Sequence, residues 1–166
     1  EIPDNLTSFY YTNIQLDKND DKKIKFNKDI LHQSKLINYF NGDYAKSKIE
    51  KDTENFLKKI KKNKKYFFSK KDQIFLESLK SDGVKISNKY DDLYVVNESE
   101  IPTDIQVMIN NNEKGAALLR IIEVIGQDKL ERIDEDTLYF IISTLNQLNI
   151  NLIRNNILLK VLPLKV

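Results

Sequence analysis

The sequence predicts an all-α protein built from antiparallel helical hairpins. Apolar residues recur at the three- and four-residue spacing of amphipathic helices along most of the 166 residues. Residue types that begin and end helices, such as Ser69, Asp134 and Gly83, stand at the edges of these segments. No convincing set of alternating strands is present. Because short links force neighbouring helices to run antiparallel, we expect a stack of hairpins.

The N-terminal part contributes two predicted helices, preceded by one ambiguous segment. That segment, residues 3–16, fits either a helix or an extended strand. Asn27 can cap a helix over residues 28–40, because its side chain can accept an orphan backbone N–H. A longer helix is predicted over residues 44–63. The residues expected on the buried faces of the last two helices are Ile30, Leu31, Leu36, Ile37, Phe40, Ile49, Phe56, Leu57 and Ile60.

A capping signal opens the next helix. Ser69 and Asp72 nearly match a capping box, with Asp in place of the usual Glu or Gln, and Gly83 would end the helix. Residues 84–101 are irregular, with one apolar run at 93–96 that fits a short strand or an extended arm. A short helix is then predicted over residues 102–110, with Pro102 in its first turn.

Residues 114–162 are the most apolar stretch, and we expect them to be the structural anchor. Gly126 ends the first of three predicted helices, Asp134 caps the second, and a tight turn at Asn149 leads into the third, which Pro163 closes. The helices should form a compact antiparallel unit, because their polar stripes are narrow. The polar residues expected on those stripes are Arg120, Glu123, Ser143, Asn146, Gln147, Asn151, Arg154, Asn155 and Lys160.

The expected organisation is one continuous domain in three parts. These are a lysine-rich helical part (1–83), an irregular arm or linker (84–101) and an apolar helical unit (102–166). Lys114 and Ile150, two helices apart, are separated by 36 residues, near the period of helical-repeat families. Over about its last hundred residues the chain resembles an irregular α-solenoid of the tetratricopeptide type. That likeness is architectural: the Trp, Leu-Gly-Tyr and Ala signature positions are absent, and it transfers no site residues.

Eight lysines within 14 residues, interleaved with Tyr66, Phe67 and Phe68, are the main candidate site. Such a pattern suits single-stranded nucleic acid, since lysines neutralise phosphates and rings stack on bases. Anionic lipid or an acidic partner protein would meet the same charge. The competing interpretation is a solvated helix face, because acidic residues lie nearby and the cluster itself contains no arginine for bidentate phosphate contacts. The lysine cluster comprises Lys58, Lys59, Lys61, Lys62, Lys64, Lys65, Lys70 and Lys71.

A partial calcium-loop pattern is present near the N-terminus. Asp17, Asn19 and Asp21 match the first three alternating oxygen ligands of an EF-hand loop. Lys22 and Lys28 stand where that loop requires Gly and a bidentate Glu. We therefore expect a polar loop and no metal site.

The other candidates for chemistry favour structural roles. His32 is the only histidine, and without cysteine it cannot build a zinc site, so we expect it at the edge of the core with ordinary hydrogen bonds. An acidic group between the two most apolar helices is better explained by the N-terminus of the second helix, where negative charge is stabilised. That group comprises Asp128, Glu131, Asp134, Glu135 and Asp136.

Composition restricts the class of protein without identifying it. The formal net charge is only +2, cysteine is absent, and no apolar run approaches the length of a membrane-spanning helix. The missing cysteine and a start at Glu1 instead of Met favour an exported or periplasmic protein, with the compartment left open. No nucleotide-binding or nucleophile motif is present, so no cofactor is expected.

The first functional hypothesis is a non-enzymatic helical-repeat module for protein–protein interaction or assembly scaffolding, with another protein or a second copy as partner. Its basis is the set of hairpin helices together with an irregular arm that could pack on a neighbour. One alternative is nucleic-acid or anionic-surface binding through the lysine cluster, including Tyr66. A further alternative is an accessory helical region of a larger enzyme whose catalytic part lies upstream.

Overall fold

The computed structural model describes residues 24–93, 101–126 and 128–165, and these are mostly helical, as predicted. The predictions for residues 3–16 and for the calcium-like loop lie outside the described residues. Two compact units are present. Within the described ranges, the lysine-rich unit comprises residues 24–93 and 162–165, and the apolar unit comprises 101–126 and 128–161.

Two helices form the body of the lysine-rich unit: α1 (Lys46–Lys62) and α2 (Lys70–Ser81). Both confirm the sequence prediction to within two residues at each end. Helix α1 buries Ile49, Leu57 and Ile60, the first and last of which belong to its predicted apolar stripe. Phe56, which was also expected to be buried, is only half-buried.

The helix predicted over residues 28–40 is wrong in type. Two 3-10 helices stand there, Leu31–Gln33 and Lys35–Asn41, separated by an extended Ser34 (φ −76°, ψ 169°). The Ser34 hydroxyl donates to the carbonyl of Leu31 and accepts the amide of Leu36, so it begins a new helix where an α-helix would have continued. Of the predicted buried residues, Leu31, Leu36, Ile37 and Phe40 are buried and Ile30 is only half-buried.

Two further elements complete the lysine-rich unit. A 3-10 helix, Asn88–Leu93, lies in the segment expected to be irregular and buries the ring of Tyr90. Strand β1 (Ile24–Lys25) pairs antiparallel with β2 (Leu164–Lys165), with Ile24 opposite Lys165. This two-residue ladder is the strand pairing among the described residues, and it was not predicted.

The apolar unit contains the four helices that the sequence predicts. They are α3 (Thr103–Asn110), α4 (Lys114–Ile125), α5 (Glu135–Gln147) and α6 (Asn151–Val161), with a 3-10 turn at Leu130–Arg132. Asp134 caps α5 as expected: its carboxylate accepts the backbone N–H and the hydroxyl of Thr137. Asn149 turns the chain from α5 into α6 with φ 54°, a left-handed conformation that Asn tolerates.

The expectation that Arg154 lies on the polar stripe of α6 is wrong. Its side chain is fully buried, with 0% exposure, in the core of the apolar unit. Its guanidinium donates to the amide oxygens of Asn146 on α5 and Asn155 on α6 at 2.8–3.0 Å. Burial of this cation is tolerated because its N–H groups are hydrogen-bonded, so the residue joins two helices from inside.

Candidate functional site: a lysine-rich hairpin tip

The lysine cluster surrounds the turn that joins α1 to α2. Residues 63–69, called the hairpin tip below, connect the two helices, and the lysines occupy the last turn of α1, the tip and the first turn of α2. Between residues 58 and 71 no acidic residue occurs. The lysines from 58 to 65 are exposed, and Lys70 and Lys71 are half-buried. The structure therefore places the lysines at one end of the α1–α2 hairpin.

The three aromatic residues of the hairpin tip do not have the same environment. Phe67 is 85% exposed, the most exposed large apolar side chain among the described residues. Tyr66 and Phe68 on either side are half-buried. The tip therefore presents a single aromatic ring to solvent, where the sequence pattern alone offered three.

Tyr66 fixes the hairpin tip to the core of its unit. Its hydroxyl donates to Oδ2 of Asp72 at 2.9 Å and accepts the backbone N–H of Leu31 at 3.0 Å. Burial and the nearby Asp72 carboxylate raise the pKa of Tyr66 well above its usual value, so the phenol stays protonated and keeps its donor. This assignment moves Tyr66 from the predicted ligand-contacting set to an anchoring role.

Asp72 is the centre of this anchor. The predicted capping box is present: the Ser69 hydroxyl accepts the Asp72 amide, and Oδ2 of Asp72 accepts the Ser69 amide, both at 3.1 Å. Oδ1 accepts the backbone N–H of His32 at 3.1 Å and lies 2.7 Å from its ring Nδ1. Burial raises the pKa of Asp72, but the His32, Ser69 and Tyr66 hydrogen bonds outweigh it and hold that pKa below its ordinary value.

The prediction that His32 makes ordinary hydrogen bonds is confirmed, although it lies deeper than the edge of the core, at 6% exposure. Ser69, His32 and Asp72 have the residue types of a hydrolytic triad but not its arrangement. The Ser69 hydroxyl lies 3.5 Å from Nδ1, the same nitrogen that contacts Asp72, whereas a triad needs the nucleophile on the opposite nitrogen. Nε2 instead faces the side-chain amide of Gln33 at 3.5 Å. The geometry is that of a structural anchor.

One lysine of the cluster is occupied inside the unit. Lys61 pairs with Asp92 at 3.1 Å and donates to the carbonyl of Lys89. Its ammonium also lies 5.9 Å from the centre of the buried Tyr90 ring. Lys61 therefore holds the 3-10 helix Asn88–Leu93 against α1 and is less available to a ligand than the predicted set assumed.

A neighbouring network uses an acidic residue of α1. Glu54 pairs with Lys89 and accepts a hydrogen bond from the hydroxyl of Tyr90 at 3.1 Å. The Lys89 hydrogen bond holds the pKa of Glu54 below its usual value. This carboxylate therefore compensates mainly Lys89, with a smaller contribution from Lys58 of the lysine cluster.

A groove lies on another face of α1 and was not predicted. It has a volume of about 390 Å³ and is lined by Phe26, Phe56 and Leu36, with Asp52 and Lys59 on the same wall of α1. Lys28 and Lys35 add two exposed cations on the facing segment. The residues come from three separate parts of the sequence, so spacing within one helix gave no signal for it.

The apolar unit also exposes large apolar side chains. Leu152 on α6 is 68% exposed, and Val107 on α3 and Leu119 on α4 are about half exposed.

Within the acidic group near α5, Asp134 acts as the helix cap. The hydrogen bond from the Thr137 backbone N–H to its carboxylate holds the pKa of Asp134 below its usual value. Among the residues described, no cluster of three or more His, Asp or Glu side chains is suited to a metal ion.

Comparison with known proteins adds no further assignment. No protein-family model matches the chain, and no significant match was found among curated proteins or among solved structures. In the part of the chain that the structure covers, no helix is long and apolar enough to cross a membrane. The structure itself defines the class: a mostly helical protein with a lysine-rich hairpin tip.

Proposed function

We infer that the lysine-rich unit binds anionic membrane surfaces peripherally through its hairpin tip. The observation that carries this proposal is the 85% exposure of Phe67 at the centre of a run of lysines that contains no acidic residue. Clusters of four to eight lysines next to an amphipathic element are typical of sites for acidic phospholipids. An exposed ring among them can enter the interface while the ammonium groups stay at the headgroups.

The shape of the tip favours lipid over single-stranded nucleic acid. Nucleic-acid sites of that class combine a basic groove with several stacking rings, whereas Tyr66 and Phe68 are half-buried and one ring projects. Lysines act as point charges, which suits the diffuse attraction of a charged surface. Binding without enzymatic chemistry is the activity proposed.

The magnitude is sufficient for reversible binding. Lys61 pairs with Asp92, and Lys70 also has an interaction within the chain. Setting these two aside leaves six lysines of the cluster, and each contributes about 1 kcal/mol near an anionic surface. Burial of a phenyl ring adds about 2 kcal/mol. The sum of about 8 kcal/mol corresponds to micromolar binding.

Vesicle co-sedimentation tests the proposal. The chain should bind vesicles containing phosphatidylserine and not pure phosphatidylcholine, with affinity that falls steeply as salt rises. Phe67→Ser, and separately Lys64→Ala with Lys65→Ala, should each weaken binding about tenfold or more. The controls are Val107→Ser and Lys114→Ala with Lys129→Ala, which change exposed residues of the apolar unit, although Val107 at 50% is less exposed than Phe67 at 85%.

Three outcomes would contradict the proposal. The first is the absence of vesicle binding at low salt. The second is tighter, Phe67-dependent binding to single-stranded DNA, which would assign the tip to nucleic acid instead. The third is an equal loss in the lysine control variant, which would show that net charge acts without the tip.

A second candidate function is protein–protein interaction or self-association through the apolar unit, in which the helical hairpins act as a repeat-type scaffold. The exposure of Leu152 at 68%, with Val107 and Leu119 also exposed, favours it. Light scattering after size-exclusion chromatography tests self-association: a mass above that of one chain, restored to one chain by Leu152→Ser, is expected. A single-chain mass at high concentration would contradict self-association.

A further inference from the structure

The groove beside α1 brings aromatic rings, lysines and one carboxylate around a single space. Two half-buried rings, Phe26 and Phe56, line a volume of about 390 Å³, within the roughly 300–1,000 Å³ of small-molecule sites. Lys28, Lys35 and Lys59 face the same space, and Asp52 is the single carboxylate among the lining residues. The groove therefore suits a ligand with an aromatic body and a negatively charged end.

The positions along α1 set the spacing between the two polar ends. Asp52, Asn55, Phe56 and Lys59 follow one another at i, i+3, i+4 and i+7, so they share one helix face. Seven residues separate Asp52 from Lys59, which is about 10 Å along the helix axis. The Phe56 ring lies between them. This order of carboxylate, ring and ammonium matches the order of base edge, base face and phosphate in a nucleotide.

We propose that this groove binds a guanine nucleoside monophosphate. The base packs against Phe26 and Phe56, the phosphate meets Lys28, Lys35 and Lys59, and the base edge meets Asp52 and Asn55. Stacking on aromatic side chains accepts every base, so the rings alone give no selectivity. Lysines provide the charge that holds a phosphate without specifying what is attached to it.

Asp52 supplies the selectivity. An ionised carboxylate only accepts hydrogen bonds, and the edge of guanine offers two adjacent donors, N1–H and the 2-amino group. Adenine presents a ring nitrogen acceptor there, which would leave the carboxylate without its partner. Asn55 can donate to the guanine O6. Because Asp52 is half-buried and Asn55 is exposed, this pairing favours guanine over adenine without the complete rejection that a water-excluded edge would give.

The groove shares Lys59 with the lysine cluster and no residue with the hairpin tip. Nucleotide binding and membrane binding therefore have different essential residues, and one can fail while the other holds. The variants chosen below leave Lys59 unchanged for that reason.

Titration calorimetry with the full chain tests the assignment, using GMP, IMP, AMP and ribose 5-phosphate as ligands. We expect GMP to bind one site, IMP to bind more weakly because it lacks the 2-amino group, and AMP to bind about tenfold or more weakly than GMP. Lys28→Ala with Lys35→Ala should weaken GMP binding, while Lys64→Ala with Lys65→Ala at the tip should leave it unchanged.

Asp52→Asn gives the decisive comparison, because an amide both donates and accepts. This variant should lose the preference for GMP over AMP while retaining the fold, checked by circular dichroism. The proposal would be overturned if the native chain bound GMP and AMP, or GMP and ribose 5-phosphate, with equal affinity. It would also be overturned if GMP did not bind at millimolar concentration. Loss of vesicle binding with GMP binding intact would overturn only the membrane function.

Discussion

Oδ1 of Asp72 lies 2.7 Å from Nδ1 of His32, although 40 residues separate the two in sequence. Because the carboxylate can only accept, Nδ1 carries the proton of this hydrogen bond. Both side chains are buried, with Asp72 1% exposed. The pair fixes the 3-10 helix Leu31–Gln33 to the first turn of α2, immediately beside the hairpin tip.

Asp72→Asn should strongly destabilise the lysine-rich unit. The variant replaces one of two buried acceptor oxygens with an NH2 group, so two of the donors from His32, Tyr66 and Ser69 lose their acceptor, and a loss of about 3–5 kcal/mol is expected. Ser69→Ala is the control, since it removes the cap alone and should cost about 1 kcal/mol. Urea unfolding followed by circular dichroism measures both. Equal losses would show that Asp72 acts only as a capping residue.

Acid should destabilise the chain partly through Asp72. Its pKa is lower in the folded state than in the unfolded state, so the unfolded chain binds the proton at higher pH. The stabilisation is complete above the unfolded value of about 3.9 and is lost as pH falls through the folded pKa. The difference in unfolding free energy between the native chain and Asp72→Asn should therefore shrink below pH 4. A constant difference down to pH 2 would contradict this account.

Tyr66→Phe should loosen the hairpin tip without removing an aromatic ring. The variant deletes one donor to Asp72 and the acceptor of the Leu31 amide, for a cost of about 1–2 kcal/mol. Hydrogen exchange gives a local readout, because the Leu31 amide should lose protection. Phe67→Ala is the comparison, and it should leave that amide unchanged since the ring is exposed. Unchanged exchange at Leu31 in Tyr66→Phe would show that the tip is held otherwise.

Arg154→Ala should destabilise the apolar unit by about 3 kcal/mol or more. It leaves a cavity in the core and removes the donors to Asn146 and Asn155. Arg120 provides a matched control in the same unit, because its ion pairs with Asp104 and Glu123 are solvent-exposed. Arg120→Ala should cost less than about 1 kcal/mol. Thermal unfolding of both variants would show whether burial separates the two arginines.

Local signals predicted the helices well where the chain determines its own ends. Ser69, Asp134 and Gly83 mark helix ends through hydrogen bonds and a left-handed turn that depend on near neighbours. The α-helix predicted over residues 28–40 does not form, because backbone groups of this segment make hydrogen bonds outside the α-helical pattern. The amide of His32 is taken by Asp72, and Ser34 interrupts the helical path.

The candidate site divides in the same way. The lysine cluster was visible in the sequence because charge density is a local property. The difference between Phe67, which projects, and Tyr66, which anchors, depends on Asp72 and on Leu31. The groove needs Phe26 and Phe56 from distant segments to meet. The burial of Arg154 depends on where Asn146 lies, so no pattern within α6 could reveal it.

The short ladder between β1 and β2 has a consequence for synthesis of the chain. Residues 162–165 close the lysine-rich unit, and the buried Leu162 and Pro163 precede β2 directly. The ribosome makes them after the whole apolar unit, although the rest of the lysine-rich unit was finished some seventy residues earlier, at a synthesis rate of about 5–20 residues per second. The nascent lysine-rich unit must therefore wait several seconds with Ile24 and Lys25 unpaired. A translation pause within the apolar unit would prolong that exposed state.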